Sequence, residues 1–185
     1  MMETMDKQGN ILVVDDEFGP RESLRMVLKP LYNVYIAENG QKAIETIQST
    51  SIDLVTLDLR MQGLQGTDVL REIKRINSDI EVIIVTGYGS LNSAIDGIRF
   101  GAFDYIQKPF NVAEILSTIN KSIERKKLYT QLKDFLKEVG RVVGVEAELS
   151  EIKDKVAANG SFAEAIKKIF TSIAEKNMFQ DNTIN

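Results

Sequence analysis

Asp15 and Asp16 close the apolar run Ile11-Leu12-Val13-Val14, and Asp58 closes a second run, Leu54-Val55-Thr56-Leu57. Lys108-Pro109 follows a third short segment, Phe103 to Ile106. If these runs lie side by side as parallel strands, residues at their carboxyl ends line one crevice, the place where open sheets bind ligands. Three carboxylates gathered there repel one another. A divalent cation with oxygen ligands relieves that repulsion, and a neighbouring lysine adds positive charge. The set is suited to handling a phosphoryl group. Taken singly, each residue has a plainer reading. An aspartate at a strand end is usually a cap or turn former. Thr86 and Tyr105 are ordinary strand residues, and Lys-Pro is a turn. Only their conjunction points to chemistry.

The elements that must position these groups alternate regularly from Asn10 to about Arg125. Short β-branched runs fall at Ile11–Asp15, Val34–Ala37, Leu54–Asp58, Val82–Thr86 and Phe103–Ile106. Between them apolar residues recur three and four apart, as in Leu24, Val27, Leu28 and Leu31, then Val69, Leu70, Ile73 and Ile76, which is helical spacing. Asn39-Gly40 opens the second helix, and Asn111 with Glu114 three residues on forms a capping arrangement for the fifth. Five strands separated by helices predict an α/β fold, a doubly wound five-stranded parallel sheet in the order 2-1-3-4-5. A dinucleotide-binding half is disfavoured, because Asp-Asp-Glu stands where G-x-G-x-x-G would follow the first strand.

Composition narrows the chemistry further. The 185 residues contain no cysteine and no histidine, which excludes disulfides, thiolate nucleophiles and histidine-based catalysis or phosphate donation by the chain itself. Net charge is -4 with both signs interspersed, unlike a nucleic-acid footprint. The longest aliphatic run, Val82 to Val85, is too short to span a bilayer. Residues 1–9 are polar without a signal-peptide core and are expected to be flexible. A cytoplasmic protein with no membrane contact is the expectation.

Asp15-Asp16, Asp58, Thr86, Tyr105 and Lys108-Pro109, in this order and each at a strand end, resemble the receiver domain of bacterial two-component response regulators, over residues 10–125. Thr86-Gly87-Tyr88-Gly89-Ser90 and Phe100-Gly101-Ala102-Phe103-Asp104-Tyr105 are similar to the nitrogen-regulator subclass, in which an AAA+ ATPase follows the receiver. The resemblance implies a flavodoxin-like fold and a phosphoprotein in a phosphorelay, not an enzyme beyond limited self-phosphorylation and self-dephosphorylation. A sensor histidine kinase is the partner that donates a phosphoryl group to Asp58, which becomes an acyl phosphate. It further implies Mg²⁺ held by Asp16 and Asp58, by Asp15 through water, and by the main-chain carbonyl of Arg60. Lys108 would pair with a phosphoryl oxygen, and a cis Lys108-Pro109 bond would aim it. Thr86 and Tyr105 would form the switch, Tyr105 rotating in from solvent as Thr86 moves toward the phosphoryl group. The chain departs from the subclass at Met61-Gln62-Gly63, where a proline is usual before the glycine. The resemblance implies that Arg60 and Tyr88, each two residues beyond a site residue, flank the path of hydrolytic water. Their bulk predicts a long-lived phosphoform.

Residues 126–185 read as a helical extension, a coiled-coil linker or dimerisation region in place of the ATPase. Leu128, Leu132, Phe135, Leu136 and Val139 make one apolar stripe. Val142, Val145, Leu149, Ile152 and Val156 make another at heptad-like spacing. Asn159-Gly160 breaks the pattern, and Ser161 with Glu164 is a capping box for a last helix. No G-x-x-x-x-G-K-[ST] loop occurs in these 185 residues. The output is therefore expected through protein contact or a homodimer. The alternative, a DNA-binding transcriptional regulator or a fragment of one acting through the tail, is weakened by nearly balanced acids and bases there. A phosphatase of the haloacid type needs an acid two residues after the nucleophile, and Asp58 is followed by Leu59 and Arg60.

Overall fold

A computed structural model describes residues 7–87 and 91–143. The β-branched runs pair as predicted into one parallel sheet. Its strands are β1 (Asn10–Val14), β2 (Asn33–Ala37), β3 (Leu54–Leu57), β4 (Glu81–Thr86) and β5 (Asp104–Gln107), in the order β2-β1-β3-β4-β5. In register, Val14 of β1 lies beside Ala37 of β2 and Leu57 of β3, so the central strands finish level. Successive side chains along a strand point to opposite faces. Leu12, Val14, Val55, Leu57, Val82 and Ile84 therefore pack on one side, while Ile11, Val13, Leu54, Ile83 and Val85 pack on the other.

Each face is covered by helices whose apolar residues recur at helical spacing. Val69, Leu70 and Ile73 of α3 (Gly66–Ile76), with Ala43 and Ile47 of α2 (Gly40–Ser49), close the first face. Leu24 and Leu28 of α1 (Phe18–Leu28), with Ile115, Ile119 and Ile123 of α5 (Val112–Val143), close the second. Between β4 and β5 runs α4 (Leu91–Arg99). Asn39 caps α2 by accepting from the Lys42 amide at 2.9 Å. Asn111 caps α5 differently from the expected box: its side chain accepts from the Ala113 amide at 2.8 Å, because the chain turns tightly enough to offer an earlier N–H than that of Glu114.

The chain divides into two compact units, Met1–Lys126 and Lys127–Asn185. In the second, Leu128 and Phe135 are 67% and 60% exposed. The stripe through Val145, Leu149, Ile152 and Val156, the Asn159-Gly160 break and the Ser161–Glu164 box lie outside the described residues, as do residues 1–6. Lys7 to Gly9, read as flexible from sequence, are tied down. The Gln8 amide donates to Leu31 O, Gly9 O accepts from the Asn33 amide, and Lys7 Nζ reaches Lys29 O at 2.6 Å.

At the amino ends of the strands, a polar network fastens α5 to the sheet. Arg125 makes two hydrogen bonds to the buried Glu81, one of 3.0 Å from Nε and one of 2.5 Å from Nη2, and lies over the Phe103 ring at 4.3 Å. Lys126 Nζ bonds Asp53 Oδ1 at 2.7 Å, while Asp53 Oδ2 accepts from the Asn10 amide. Burying a carboxylate requires a partner. An Arg125→Met variant keeps apolar bulk over Phe103 and strands Glu81. We expect it to lose about 1–3 kcal/mol of stability, seen as a lower urea midpoint at unchanged slope. An unchanged midpoint would mean that Glu81 is solvated without Arg125.

Candidate functional site

The backbone ladder aims the functional groups. Beyond the last residue of β1, the Asp15 amide still donates to Ala37 O at 3.1 Å, and the Asp58 amide donates to Val14 O at 2.9 Å. Beyond β5, the Lys108 amide donates to Thr86 O at 2.8 Å. Both acids and the lysine are thus extensions of paired strands, held at the carboxyl edge of the sheet by the same bonds that hold the sheet together.

Lys108 Nζ lies 2.6 Å from Asp15 Oδ2 and 2.6 Å from Asp58 Oδ2. The second oxygens of those carboxylates are used locally: Asp15 Oδ1 accepts from the Glu17 amide and Asp58 Oδ1 from the Arg60 amide, each at 3.0 Å. Asp16 is more open, and its Oδ2 accepts from the Gln62 amide at 3.2 Å. Asp15, Asp16 and Asp58 each offer one oxygen within 4.8 Å of the others. The Lys108–Pro109 bond is cis. Thr86 is wholly buried at the end of β4. Arg60 is exposed, and Tyr88 lies outside the described residues.

One ammonium serves two buried carboxylates, with a third carboxylate beside them. Burial pushes the Asp15 carboxyl above its ordinary range, and the bond and charge of Lys108 only partly oppose this. For Lys108, burial acts to lower the pKa, yet hydrogen bonds to Asp15 and Asp58 outweigh it and hold the amine above its usual value. The lysine stays charged and the pocket keeps an excess of negative charge. Oxygen donors in a chain without thiolate or imidazole suit a hard divalent ion, so the residues fit Mg²⁺.

Tyr105 differs from the expectation of a ring in solvent. It packs against the core beside Ile84, and its hydroxyl is buried without a hydrogen-bond partner. The ring gains apolar contact at the expense of an unsatisfied polar atom. Sequence reading also missed three supports. Arg21 Nη1 donates to the Asp15 main-chain oxygen at 2.5 Å. Gln62 offers its amide to Asp16. Gly66 opens α3 so close to Asp58 that a Cβ there would stand 2.6 Å from Asp58 O and 2.5 Å from Leu59 Cα. Only Arg21 left a signal: a cation at the end of the first turn of α1, where the helix dipole gives it no support. In the same loop Gly63 adopts φ 91°, a left-handed turn that favours glycine.

The model of the response regulator receiver domain family matches residues 11–120. Among curated proteins, the transcriptional regulatory protein ZraR of Escherichia coli K12 is 36% identical over 115 residues, which are 62% of this chain and 26% of ZraR. Sporulation initiation phosphotransferase F of Bacillus subtilis is 36% identical over 117 residues, 63% of this chain and 94% of that protein. Among solved structures, NtrX of Brucella abortus in complex with ADP superposes with a TM-score of 0.66 at 29% identity, covering 80% of this chain and 33% of NtrX. This chain thus spans about a quarter of the length of the ZraR regulators it matches.

The charge excess has a measurable consequence in the absence of metal. An acid whose folded-state pKa is raised destabilises the fold above that pKa, and the penalty fades as pH falls through it toward the unfolded value of 3.8. Asp15→Asn should therefore be more stable than the wild type at neutral pH by on the order of 1 kcal/mol. The gain should shrink on acidification toward pH 4. Thermal melts at both pH values without divalent ions check this, and a gain that grows on acidification would reverse the assigned sign.

Proposed function

The chain belongs to the response regulator receiver family, and from that premise we propose that its first unit accepts a phosphoryl group on Asp58 from a sensor histidine kinase. The observation that carries this reading is Lys108 bridging Asp15 and Asp58, with Asp16 alongside. Mg²⁺ would be held by Asp16, Asp58, the Arg60 carbonyl and, through water, Asp15, and when bound it supplies positive charge against carboxylate and phosphoryl oxygens.

The chain's own groups define the rest. An Asp58 carboxylate oxygen forms a bond to phosphorus as the bond from phosphorus to the donor nitrogen breaks, and the leaving imidazole takes the electron pair. Asp58 is almost fully enclosed, so the oxygen that Lys108 releases meets the donor with little competing water. The Lys108 ammonium transfers from carboxylate to a phosphoryl oxygen. The buried Thr86 hydroxyl, on the strand next to Asp58, donates to another. Displacement of Thr86 toward that oxygen alters the packing of Tyr105 beyond it, and the surface around β5 changes with it.

Beyond Asp58 stand Leu59 and Arg60, neither able to act as the general acid of a phosphatase. The acyl phosphate persists as a signal, and the side chain of Arg60 slows attack by water. Output passes through residues 127–185 or through a partner protein, with self-association as one form. Among the described residues no helix is long and apolar enough to cross a membrane. The reading places the protein in the cytoplasm. DNA binding is not carried over from regulators matched along only a quarter of their length.

With Mg²⁺ and a small-molecule phosphodonor, the wild type should gain one phosphoryl group by intact mass, labile to hydroxylamine. Asp58→Asn should gain none, and Lys108→Met should retain Mg²⁺-dependent binding of a phosphoryl mimic but lose at least tenfold in labelling rate, on the order of removing one electrostatic stabiliser. Labelling of Asp58→Asn at the wild-type rate would defeat the assignment. Light scattering with beryllofluoride separates the outputs: a doubled mass marks self-association, and a constant mass directs the output to a partner.

A further inference from the structure

Every hydrogen-bonding group of Asp15 is engaged. Its amide donates to Ala37 O, its two carboxylate oxygens accept from the Glu17 amide and from Lys108, and its main-chain oxygen accepts from Arg21 Nη1 at 2.5 Å. That last oxygen belongs to the peptide joining Asp15 to Asp16. Rotation of this peptide would swing the Asp16 carboxylate, which accepts a 3.2 Å bond from the Gln62 amide. The guanidinium carbon stands 5.9 Å from the centroid of the Phe18 ring. Arg21 is half-buried, and it reaches back six residues along the chain to the Asp15 oxygen.

We infer that Arg21 is a positioning residue for metal binding: by clamping the Asp15–Asp16 peptide it presents the Asp16 carboxylate toward Asp58. The inference rests on the reading of the acid pocket as a Mg²⁺ site. It also runs against simple electrostatics. A positive charge this close to three carboxylates opposes the arrival of a cation, so its removal alone would tighten Mg²⁺ binding. Loss of the clamp would weaken it, as loss of groups that orient metal ligands commonly does. The two roles predict opposite signs.

The experiment is Mg²⁺ titration by calorimetry on the full chain for the wild type, Arg21→Met and Arg21→Gln, with circular dichroism melts alongside. Arg21→Met should bind Mg²⁺ roughly tenfold more weakly. Arg21→Gln, which retains an N–H donor without charge, should lose less. Unchanged or tighter binding in Arg21→Met would overturn the inference, as would a lower melting temperature with an unmoved Mg²⁺ affinity, which marks a merely structural arginine. If Arg21→Met does not fold, Arg21→Ala, which removes the donor and suits a helix, decides in its place: affinity at or above wild type overturns the clamp, and a loss upholds it. A wild type that does not bind Mg²⁺ would instead refute the reading of the pocket.

Discussion

One lysine held between two carboxylates organises this molecule. Lys108 arrives from β5, Asp15 from β1 and Asp58 from β3, so the two 2.6 Å contacts join three strands at the edge where no further ladder bonds are available. The arrangement is stable yet incomplete. A single ammonium cannot neutralise three acids, and burial makes the remainder expensive. Sheet, loops and helix starts are arranged around that imbalance. The amides of Glu17, Arg60 and Gln62 each turn toward a carboxylate, and the start of α3 approaches Asp58 closely enough to exclude a side chain at Gly66.

The opposite edge of the sheet resolves its charges instead of accumulating them. Glu81 meets Arg125, Asp53 meets Lys126, and Lys74 donates to Ile80 O at 2.6 Å. The two carboxylates there each have a cation of their own, while the Lys74 ammonium has main-chain oxygens and burial pulls its pKa below the usual value. The contrast is informative because both edges are built from the ends of the same strands. Where pairing is complete, the network serves to hold α5 against β3 and β4. On the proposed reading, the shortfall of positive charge at the carboxyl edge suits the site to a cation and an anionic ligand together.

Much of this was legible in the sequence because it rests on periodicity and strand ends. The strand order followed from alternation of β-branched runs with helical spacing, and the acids were visible because each directly ends an apolar run. Other features rest on contacts with no sequence period. Arg21 is a helix residue whose partner is a main-chain oxygen, so no pairing of side-chain types reveals it. Gly66 is one glycine among twelve, and its role depends on how near α3 comes to Asp58, a distance set by packing of Val69 and Leu70. The Asn111 cap was placed correctly but bonds Ala113, since both amides are one short turn away and only backbone geometry chooses between them.

On the proposed reading, Tyr105 ties the pocket to the surface energetically. Its hydroxyl is enclosed without a partner, a state that costs about 1–3 kcal/mol against a hydrated one. Its ring meanwhile contributes apolar burial of similar size beside Ile84. On that reading, two opposing quantities of that order would leave the ring poised between packings, whereas a hydrogen-bonded tyrosine would strongly prefer one. On the proposed reading, a modest bias from Thr86, two residues beyond Ile84, the residue opposite Tyr105 in the β4–β5 pair, suffices to shift the balance, because a difference of about 1.4 kcal/mol already changes a population ratio tenfold. A receiver whose switch residue was satisfied in either position would need a far larger input from the phosphoryl group to move it. On the proposed reading, the unsatisfied hydroxyl makes the ring responsive to small changes at the acid pocket.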